Sequence, residues 1–242
     1  MAQNIYDKRE FFEGYSQLSR SVHGLDGAAE WGSIRAVLPD LSDKRIVDLG
    51  CGFGWFARHA AGQGAKSVLG LDISERMIAR ARQETADATI RYDIADLEHL
   101  ELPGASFDLA YSSLAFHYIE DFPRLVATIH RALAPGADFV FTIEHPIYMA
   151  PVMPMWTTDG EGRRIWPLDG YSREGQRTTD WLAKGVVKYH RTLGTTLNAL
   201  IAAGFSIRHV EEWRPSEEQL MDHPEWAEEM DRPMFLLIAA QR

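Results

Sequence analysis

Apolar runs and helical patterns alternate along the chain from residue 45 to residue 143. Each run is short, and the segment after it carries apolar residues at helical spacing. This alternation predicts crossover units and a parallel sheet in an α/β protein. We predict strands at 45–49, 67–71, 89–92, 107–112 and 138–143, and helices at 54–62, 75–85 and 122–134.

Capping residues stand at the ends of these predicted helices. Ser74 precedes the second helix and Asp121 precedes the third, while Gly136 predicts the end of the third. Further along, the pattern predicts a helix near 192–203, a strand near 205–213, an acidic helix near 216–230 and a strand at 234–240. We expect the acids of that last helix, Glu229 among them, on its solvated side.

The regular pattern breaks between residues 144 and 191. This segment holds four prolines and three of the seven tryptophans, with no sustained period. A long irregular segment is typical of a functional lid or of disorder, and its aromatic residues favour order. We predict one domain over 1–242 with a substrate-side insertion or lid at 144–191.

Composition and charge exclude several functional classes. The net charge is −10 and the pI is about 5.4, so a nucleic acid would meet repulsion over most of the surface. No apolar run approaches the roughly 18 residues of a membrane span. The single cysteine has no partner for a disulfide or a zinc cluster. We expect a cytoplasmic protein with no membrane or nucleic-acid partner and no metal, as a monomer or homodimer.

The stretch VDLGCGFGWFA carries the most informative motif. A carboxylate in the first strand is followed by a glycine-rich loop that opens a helix: Asp48, Gly50, Cys51, Gly52 and Gly54. Glycines at the carboxyl end of a strand let backbone N–H groups approach a ligand closely. The loop also fits the G-x-G-x-x-A spacing of a dinucleotide site, so by itself it leaves two cofactor classes open.

Two further carboxylates follow the next strands. Asp72, with Ile73 beside it, ends the second strand, where an acid can accept hydrogen bonds from both hydroxyls of a ribose. Asp93 follows the third strand in RYDIADL, so its carboxylate could bind the adenine amino group and the backbone N–H of Ile94 a ring nitrogen. Each acid could instead cap the turn after its strand. Together they favour an adenosine-containing cofactor.

The chain resembles the class I S-adenosylmethionine-dependent methyltransferases of the type 11 small-molecule kind. The resemblance covers residues 45–145 and rests on five stretches in order: VDLGCGFG, GLDIS, YDIADL, FDLAYSSLAFHYIED and ALAPGADFVFTIEHP. It implies a Rossmann-like seven-stranded sheet of order 3-2-1-4-5-7-6, with the last strand antiparallel and helices on both faces. It also implies S-adenosyl-L-methionine as the cofactor.

The resemblance assigns roles to individual residues. It implies that Asp48 and the glycine loop hold the methionine and ribose region, that Asp72 holds the ribose hydroxyls, and that Asp93 and Ile94 hold the adenine. Ser113 would lie near the methionyl part. The segment 1–44 resembles an amino-terminal helical cover. From it, Tyr15 and Arg20 could reach the cofactor's carboxylate, although the spacing of the aromatic residues there also fits simple packing.

Chemistry and acceptor are less constrained by the sequence. The candidates for a general base are His117 and His145, which follow the fourth and fifth strands; either could instead be a hydrogen-bonded structural residue. Aromatic and polar residues of the insertion predict a wall for a small organic acceptor, with a minor core under a loop as the alternative. The substrate candidates are Tyr148, Trp156, Tyr171 and His190.

Three functional hypotheses follow from these observations. The first is a small-molecule methyltransferase, which all five stretches favour. The second is an NAD(P)-dependent oxidoreductase, which the glycine spacing permits but which lacks a clear second nucleotide-binding half. The third is a non-catalytic module that binds S-adenosylmethionine.

Overall fold

The computed structural model describes residues 3–242. Its helices are α1 (Arg9–Tyr15), α2 (Ser19–Val22), α3 (Trp31–Val37), α4 (Trp55–Gly62), α5 (Glu75–Gln83), α6 (Phe122–Ala132), α7 (Pro146–Met149), α8 (Leu193–Ala203) and α9 (Glu217–Asp222). Its strands are β1 (Arg45–Leu49), β2 (Ser67–Asp72), β3 (Ile90–Ile94), β4 (Phe107–Ser113), β5 (Leu133–Glu144), β6 (Thr157–Thr158), β7 (Arg164–Ile165), β8 (Gly175–Trp181), β9 (Ala183–His190), β10 (Ser206–Glu212) and β11 (Phe235–Gln241).

A seven-stranded sheet of order β3-β2-β1-β4-β5-β11-β10 organises the protein. The first five strands in this order are parallel, whereas β11 runs antiparallel to both of its neighbours. This arrangement confirms the predicted order and the antiparallel last strand. The sheet is buried on both faces, since Ile46, Val47 and Leu49 of β1 are at most 1% exposed, as expected for the centre of a parallel sheet.

Two of the predicted caps form as hydrogen bonds. The Ser74 hydroxyl accepts from the Met77 N–H at the start of α5, and the Asp121 carboxylate accepts from the Arg124 N–H at the start of α6. Gly136, however, does not end α6, because the helix stops at Ala132. The chain then enters β5 at once, where the Gly136 N–H donates to the carbonyl of the C-terminal residue.

Two further expectations about secondary structure were wrong. The acidic helix near 216–230 is divided into α9 and a 3-10 helix (Pro224–Met230), because proline cannot continue the α-helical hydrogen-bond ladder. The insertion 144–191 is not irregular: it contains the short hairpin β6-β7 and the longer hairpin β8-β9. Strand β8 has the sequence GQRTTDW and no fully buried residue, so it lacks the apolar alternation that marks a strand.

Short helices from the first 44 residues cover the carboxyl end of the sheet near β2. The carboxylate of Asp7 accepts hydrogen bonds from the Ser74 hydroxyl and from the N–H of Arg76, and Asn4 donates to the carbonyl of Ile73. This cover is thereby attached to the strand end that carries Asp72. Among residues 3–242, no helix combines the length and apolar character needed to cross a membrane.

Candidate functional site: a crevice at the carboxyl ends of the parallel strands

The three glycines after β1 all have positive φ, but they have different neighbours. A Cβ added at Gly50 would lie 2.4 Å from the Cβ of Ala115, and one at Gly54 would lie 2.1 Å from the Tyr92 hydroxyl. A Cβ at Gly52 would meet no heavy atom of residues 3–242 within 4 Å. Gly50 and Gly54 therefore allow the loop to pack against the protein, whereas Gly52 faces open space into which a ligand can come close to the backbone.

Asp72 joins this loop to the end of β2. Its Oδ2 accepts a 2.9 Å hydrogen bond from the Gly52 N–H, and its Oδ1 accepts one of the same length from the Ser74 N–H. Burial raises the pKa of this carboxyl to about 6, although the backbone hydrogen bonds oppose the rise. The carboxylate is held in a fixed orientation at the edge of the crevice.

Asp48 is a buried acid with an unmet hydrogen-bonding group. Its Oδ2 is buried and has no hydrogen-bond partner among the described residues. Burial, together with the nearby Asp72, raises the pKa of its carboxyl to about 8. A buried polar atom of this kind is costly unless a donor reaches it, so Asp48 fits a cationic or N–H-bearing ligand group.

Two neighbouring cavities open on either side of the glycine loop. The first has in its lining Gly52, Asp72, Ile73, Asp96, Leu97 and Ser113. The second has in its lining Asp48, Gly50, Cys51, Gly52, Tyr15, Arg20 and Ser113. The structure therefore brings together ten of the twelve predicted cofactor residues, Gly54 at the start of α4 included.

Asp93 and Ile94, predicted for the adenine contact, are not in the lining of the first cavity. Asp93 still belongs to β3, its carboxylate lies 2.7 Å from the Arg91 guanidinium, and Ile94 is 51% exposed. Asp96 and Leu97 follow in the next turn and line the first cavity. The signal was present in the sequence, since YDIADL contains both acids, but the strand extends to Ile94 and carries Asp93 away from the crevice.

Arg20 lies at the second cavity, held by a buried acid. Its Nη2 lies 2.9 and 3.0 Å from the two carboxylate oxygens of Glu30, which is fully buried. Tyr15 lines both small cavities and a third, larger one. The cover residues predicted for the cofactor thus stand where the three cavities meet.

Known proteins resemble this chain in sequence and in structure. A family model described as a methyltransferase domain matches residues 47–141. A solved S-adenosylmethionine dependent methyltransferase from Mesorhizobium loti is 64% identical, with a TM-score of 0.88 over 90% of this chain and 100% of that chain. An uncharacterized protein of Haemophilus influenzae is 35% identical over 251 residues, covering 99% of this chain and 97% of that protein.

One further relative matches less than half of the chain. The malonyl-[acyl-carrier protein] O-methyltransferase of Pectobacterium atrosepticum is 35% identical over 106 residues, which is 44% of this chain and 41% of that enzyme. The chain belongs to the S-adenosylmethionine-dependent methyltransferases. Its cofactor is therefore S-adenosylmethionine, and the dinucleotide alternative left open by the glycine spacing is excluded.

The third cavity of the methyltransferase, about 440 Å³ in volume, lies between the cover, the insertion and the C-terminal part of the chain. Some residues of its lining were predicted as site residues from the sequence and others were not. The lining includes Tyr6, Tyr15, Arg20, His117, Tyr118, Glu144, Tyr148, Trp181, Trp213, Trp226, Glu229 and Phe235. Glu229 was expected on a solvated helix face, but it is 7% exposed and bonded to Arg232. We call this space the acceptor cavity, after the role that we propose for it.

The two predicted histidines have different surroundings in the methyltransferase. His117 lines the acceptor cavity, and its Nδ1 accepts a long 3.4 Å hydrogen bond from the Glu144 N–H. Burial, with the charges of Lys188 and Arg191, lowers the pKa of His117 well below its usual value. The imidazole is neutral at pH 7.

His145 lies outside the lining of the acceptor cavity. Its Nδ1 accepts from the Ile147 N–H at 3.0 Å, which caps α7, and its Nε2 lies 3.0 Å from Glu212 Oε1. The ring is buried and both nitrogens are occupied, so the surroundings are those of a structural residue.

Of the four predicted substrate residues, Tyr148 alone is in the lining of the acceptor cavity. Trp156 packs with Trp166 at 5.5 Å between ring centroids. His190 Nε2 lies 2.8 Å from the carbonyl oxygen of Tyr171, whose hydroxyl accepts from the Leu193 N–H. These last contacts connect the insertion to α8. They fit the alternative that these residues pack under a loop.

Proposed function

We propose that this enzyme transfers a methyl group from S-adenosylmethionine to a small organic acceptor bound in the acceptor cavity. The proposal rests on the position of Tyr15, which lines the acceptor cavity and both cavities beside the glycine loop. A molecule in the acceptor cavity would therefore approach one in the crevice across a single aromatic ring. The cavity volume falls within the range of small-molecule sites.

The residues beside the glycine loop fit the cofactor. Asp48 offers a buried, unpartnered oxygen to an amino group, and the open side of Gly52 accommodates close approach to the backbone. Asp72 would accept from the ribose hydroxyls, and Asp96 with Leu97 would bind the adenine. Ser113, Tyr15 and Arg20 would surround the methionyl part.

When bound, the cofactor supplies an activated methyl group, so the protein's main task is to hold the acceptor in line, which can contribute about 7–11 kcal/mol. The aromatic walls exclude water and orient the acceptor. His117 is the neutral imidazole in this lining and is the residue we propose to receive a proton where the acceptor must lose one.

A variant with a larger side chain in the acceptor cavity tests the proposal. Ala29 lines the acceptor cavity, so Ala29→Phe should abolish transfer of labelled methyl groups to a low-molecular-mass metabolite fraction while S-adenosylhomocysteine still binds. Ala36 on α3 is exposed, and Ala36→Phe serves as the matched control. Label found only in protein or nucleic acid, or full activity of the plugged variant, would contradict the proposal.

A further inference from the structure

Two carboxylates of the acceptor cavity each have one oxygen paired and one unpaired. Glu144 Oε1 lies 2.5 Å from Lys188 Nζ, and Glu229 Oε1 lies 2.5 Å from Arg232 Nη2. The Oε2 atoms of both acids are buried and have no hydrogen-bond partner among residues 3–242. Buried carboxylate oxygens are normally hydrogen-bonded, so both atoms are suited to donors that a ligand brings.

Tyr148 connects the two acids. Burial raises the pKa of its phenol to about 12, and the charges of Glu144 and Glu229 both contribute to the rise. Both carboxylates thus act electrostatically on the one Tyr148 hydroxyl, and all three residues line the same cavity. Arg232, the partner of Glu229, also lies over the Tyr148 ring, with its guanidinium carbon 4.8 Å from the ring centroid.

Two aromatic rings of the cavity wall already contact a cation. The ammonium of Lys188 already lies 5.1 Å from the ring centroid of Trp181 and 5.9 Å from that of Tyr118, which are distances of cation–π contacts. Trp181 and Tyr118 both line the cavity. The walls thus combine apolar surface with negative ring faces.

An anionic acceptor would find little to bind it. Among the described residues of the lining, Arg20 is the one permanently charged cation, and Glu30 occupies it through both carboxylate oxygens. Lys188 and Arg232 lie outside this lining, and each is already paired with one of the two acids. A carboxylate or phosphate on the acceptor would instead meet the unpaired oxygens of Glu144 and Glu229. Like charges in such a site oppose binding.

We propose that the acceptor carries a basic amine whose N–H groups donate to Glu144 and Glu229, while its apolar part packs on the aromatic walls. This inference rests on the proposed function and adds the chemical class of its acceptor. A protonated amine offers several donors to the two oxygens. A hydroxyl offers one, and a carboxylate offers none.

Three probes of similar size and one shared skeleton test this inference. Phenethylamine, 2-phenylethanol and 3-phenylpropanoate are titrated by calorimetry into the wild-type enzyme saturated with S-adenosylhomocysteine. The amine should bind about tenfold or more tightly than the alcohol, and the acid should bind most weakly. Equal or tighter binding of the alcohol or the acid, or no binding of the amine at millimolar concentration, overturns the inference.

Matched variants identify the acids responsible. Glu144→Gln and Glu229→Gln should each lower amine affinity by about tenfold, and their affinity for S-adenosylhomocysteine, which reports on folding, should stay unchanged. Glu225→Gln is the control, since Glu225 lies in the same 3-10 helix with an exposed side chain. Unchanged amine affinity in both cavity variants overturns the assignment, and the wild-type series decides the matter even if a variant does not fold.

Turnover separates this inference from the proposed function. Methyl transfer to a neutral or anionic small molecule would support the proposed function and overturn the amine assignment. Transfer to macromolecules alone would overturn the proposed function. The probe titrations need no turnover, so they test the amine assignment independently.

Discussion

The Gly52 N–H donates a 2.9 Å hydrogen bond to Oδ2 of Asp72, across twenty positions of sequence. The bond joins the loop after β1 to the end of β2, two neighbouring parallel strands whose carboxyl ends face the same crevice. Asp72 therefore has a double role in the proposed cofactor site. It fixes the glycine loop, and its remaining lone pairs are available to a ribose.

The different neighbours of the glycines lead to a first prediction. Gly52→Ala should keep most of its stability, with a cost of about 1–2 kcal/mol for its φ of +52°, but should lose at least about tenfold in S-adenosylhomocysteine affinity because the methyl group enters the crevice. Gly54→Ala should lose about 2–4 kcal/mol of unfolding free energy through its clash with Tyr92. Denaturant unfolding and calorimetry measure the two effects. Equal affinity of Gly52→Ala and wild type would contradict the account.

The position of Asp96 in the lining of the first cavity gives a second prediction. Asp96→Ala should weaken S-adenosylhomocysteine binding by about tenfold, since a hydrogen bond to a charged group is lost. Asp93→Ala is the matched control and should bind within about twofold of wild type, because its partner Arg91 is 77% exposed in its side chain and exposed ion pairs contribute little. The reverse order of affinities would support Asp93, the acid assigned from sequence.

The raised pKa of Asp48 leads to a third prediction, on how the free energy of unfolding depends on pH. Because its folded-state pKa of about 8 lies above the ordinary value of 3.8, the folded protein binds more protons than the unfolded chain between these values. The stability contributed by protonated Asp48 is lost as the pH rises toward 8. Asp48→Asn cannot ionise, so its advantage in unfolding free energy over wild type should grow by about 2–4 kcal/mol between pH 5 and pH 8.

The same variant should bind S-adenosylhomocysteine more weakly, since a cationic amino group favours the ionised carboxylate, which an amide cannot provide. Denaturant melts at both pH values and calorimetry at pH 8 provide the measurements. A constant difference in stability across the pH range would show that Asp48 is already ionised in the folded protein.

The two histidines give a fourth prediction. His145→Ala should cost about 1–3 kcal/mol of unfolding free energy, because the α7 cap and the bond to Glu212 are lost, while the methyl-transfer rate of the folded variant changes by less than about twofold. His117→Ala should lower that rate and alter its pH profile. A rate loss in His145→Ala larger than in His117→Ala would reverse these roles.

The parallel half of the sheet could be predicted from sequence because its strands are buried on both faces and therefore read as apolar runs. The hairpin β8-β9 could not, because GQRTTDW is half-exposed along its length. The acid that lines the cavity after β3 could not be identified for a related reason. A strand extended by two residues decides whether Asp93 or Asp96 faces the crevice, and strand ends are poorly defined by pattern.

The acceptor side depended on contacts far apart in the sequence. Glu229 lies in an acidic stretch typical of a solvated helix, but it is buried in the 3-10 helix that begins at Pro224, where it bonds to Arg232. Tyr6 comes from the amino-terminal cover and Glu144 from the end of β5, yet both line the acceptor cavity. No local motif indicates either of them.

The central claim, that the cofactor binds at the Gly52–Asp72 crevice, is tested most directly by calorimetric titration of S-adenosylhomocysteine into wild type, Asp72→Ala and Asp93→Ala. We expect micromolar binding to wild type and Asp93→Ala and a loss of about 100-fold or more in Asp72→Ala. Undiminished binding to a folded Asp72→Ala variant would contradict the account.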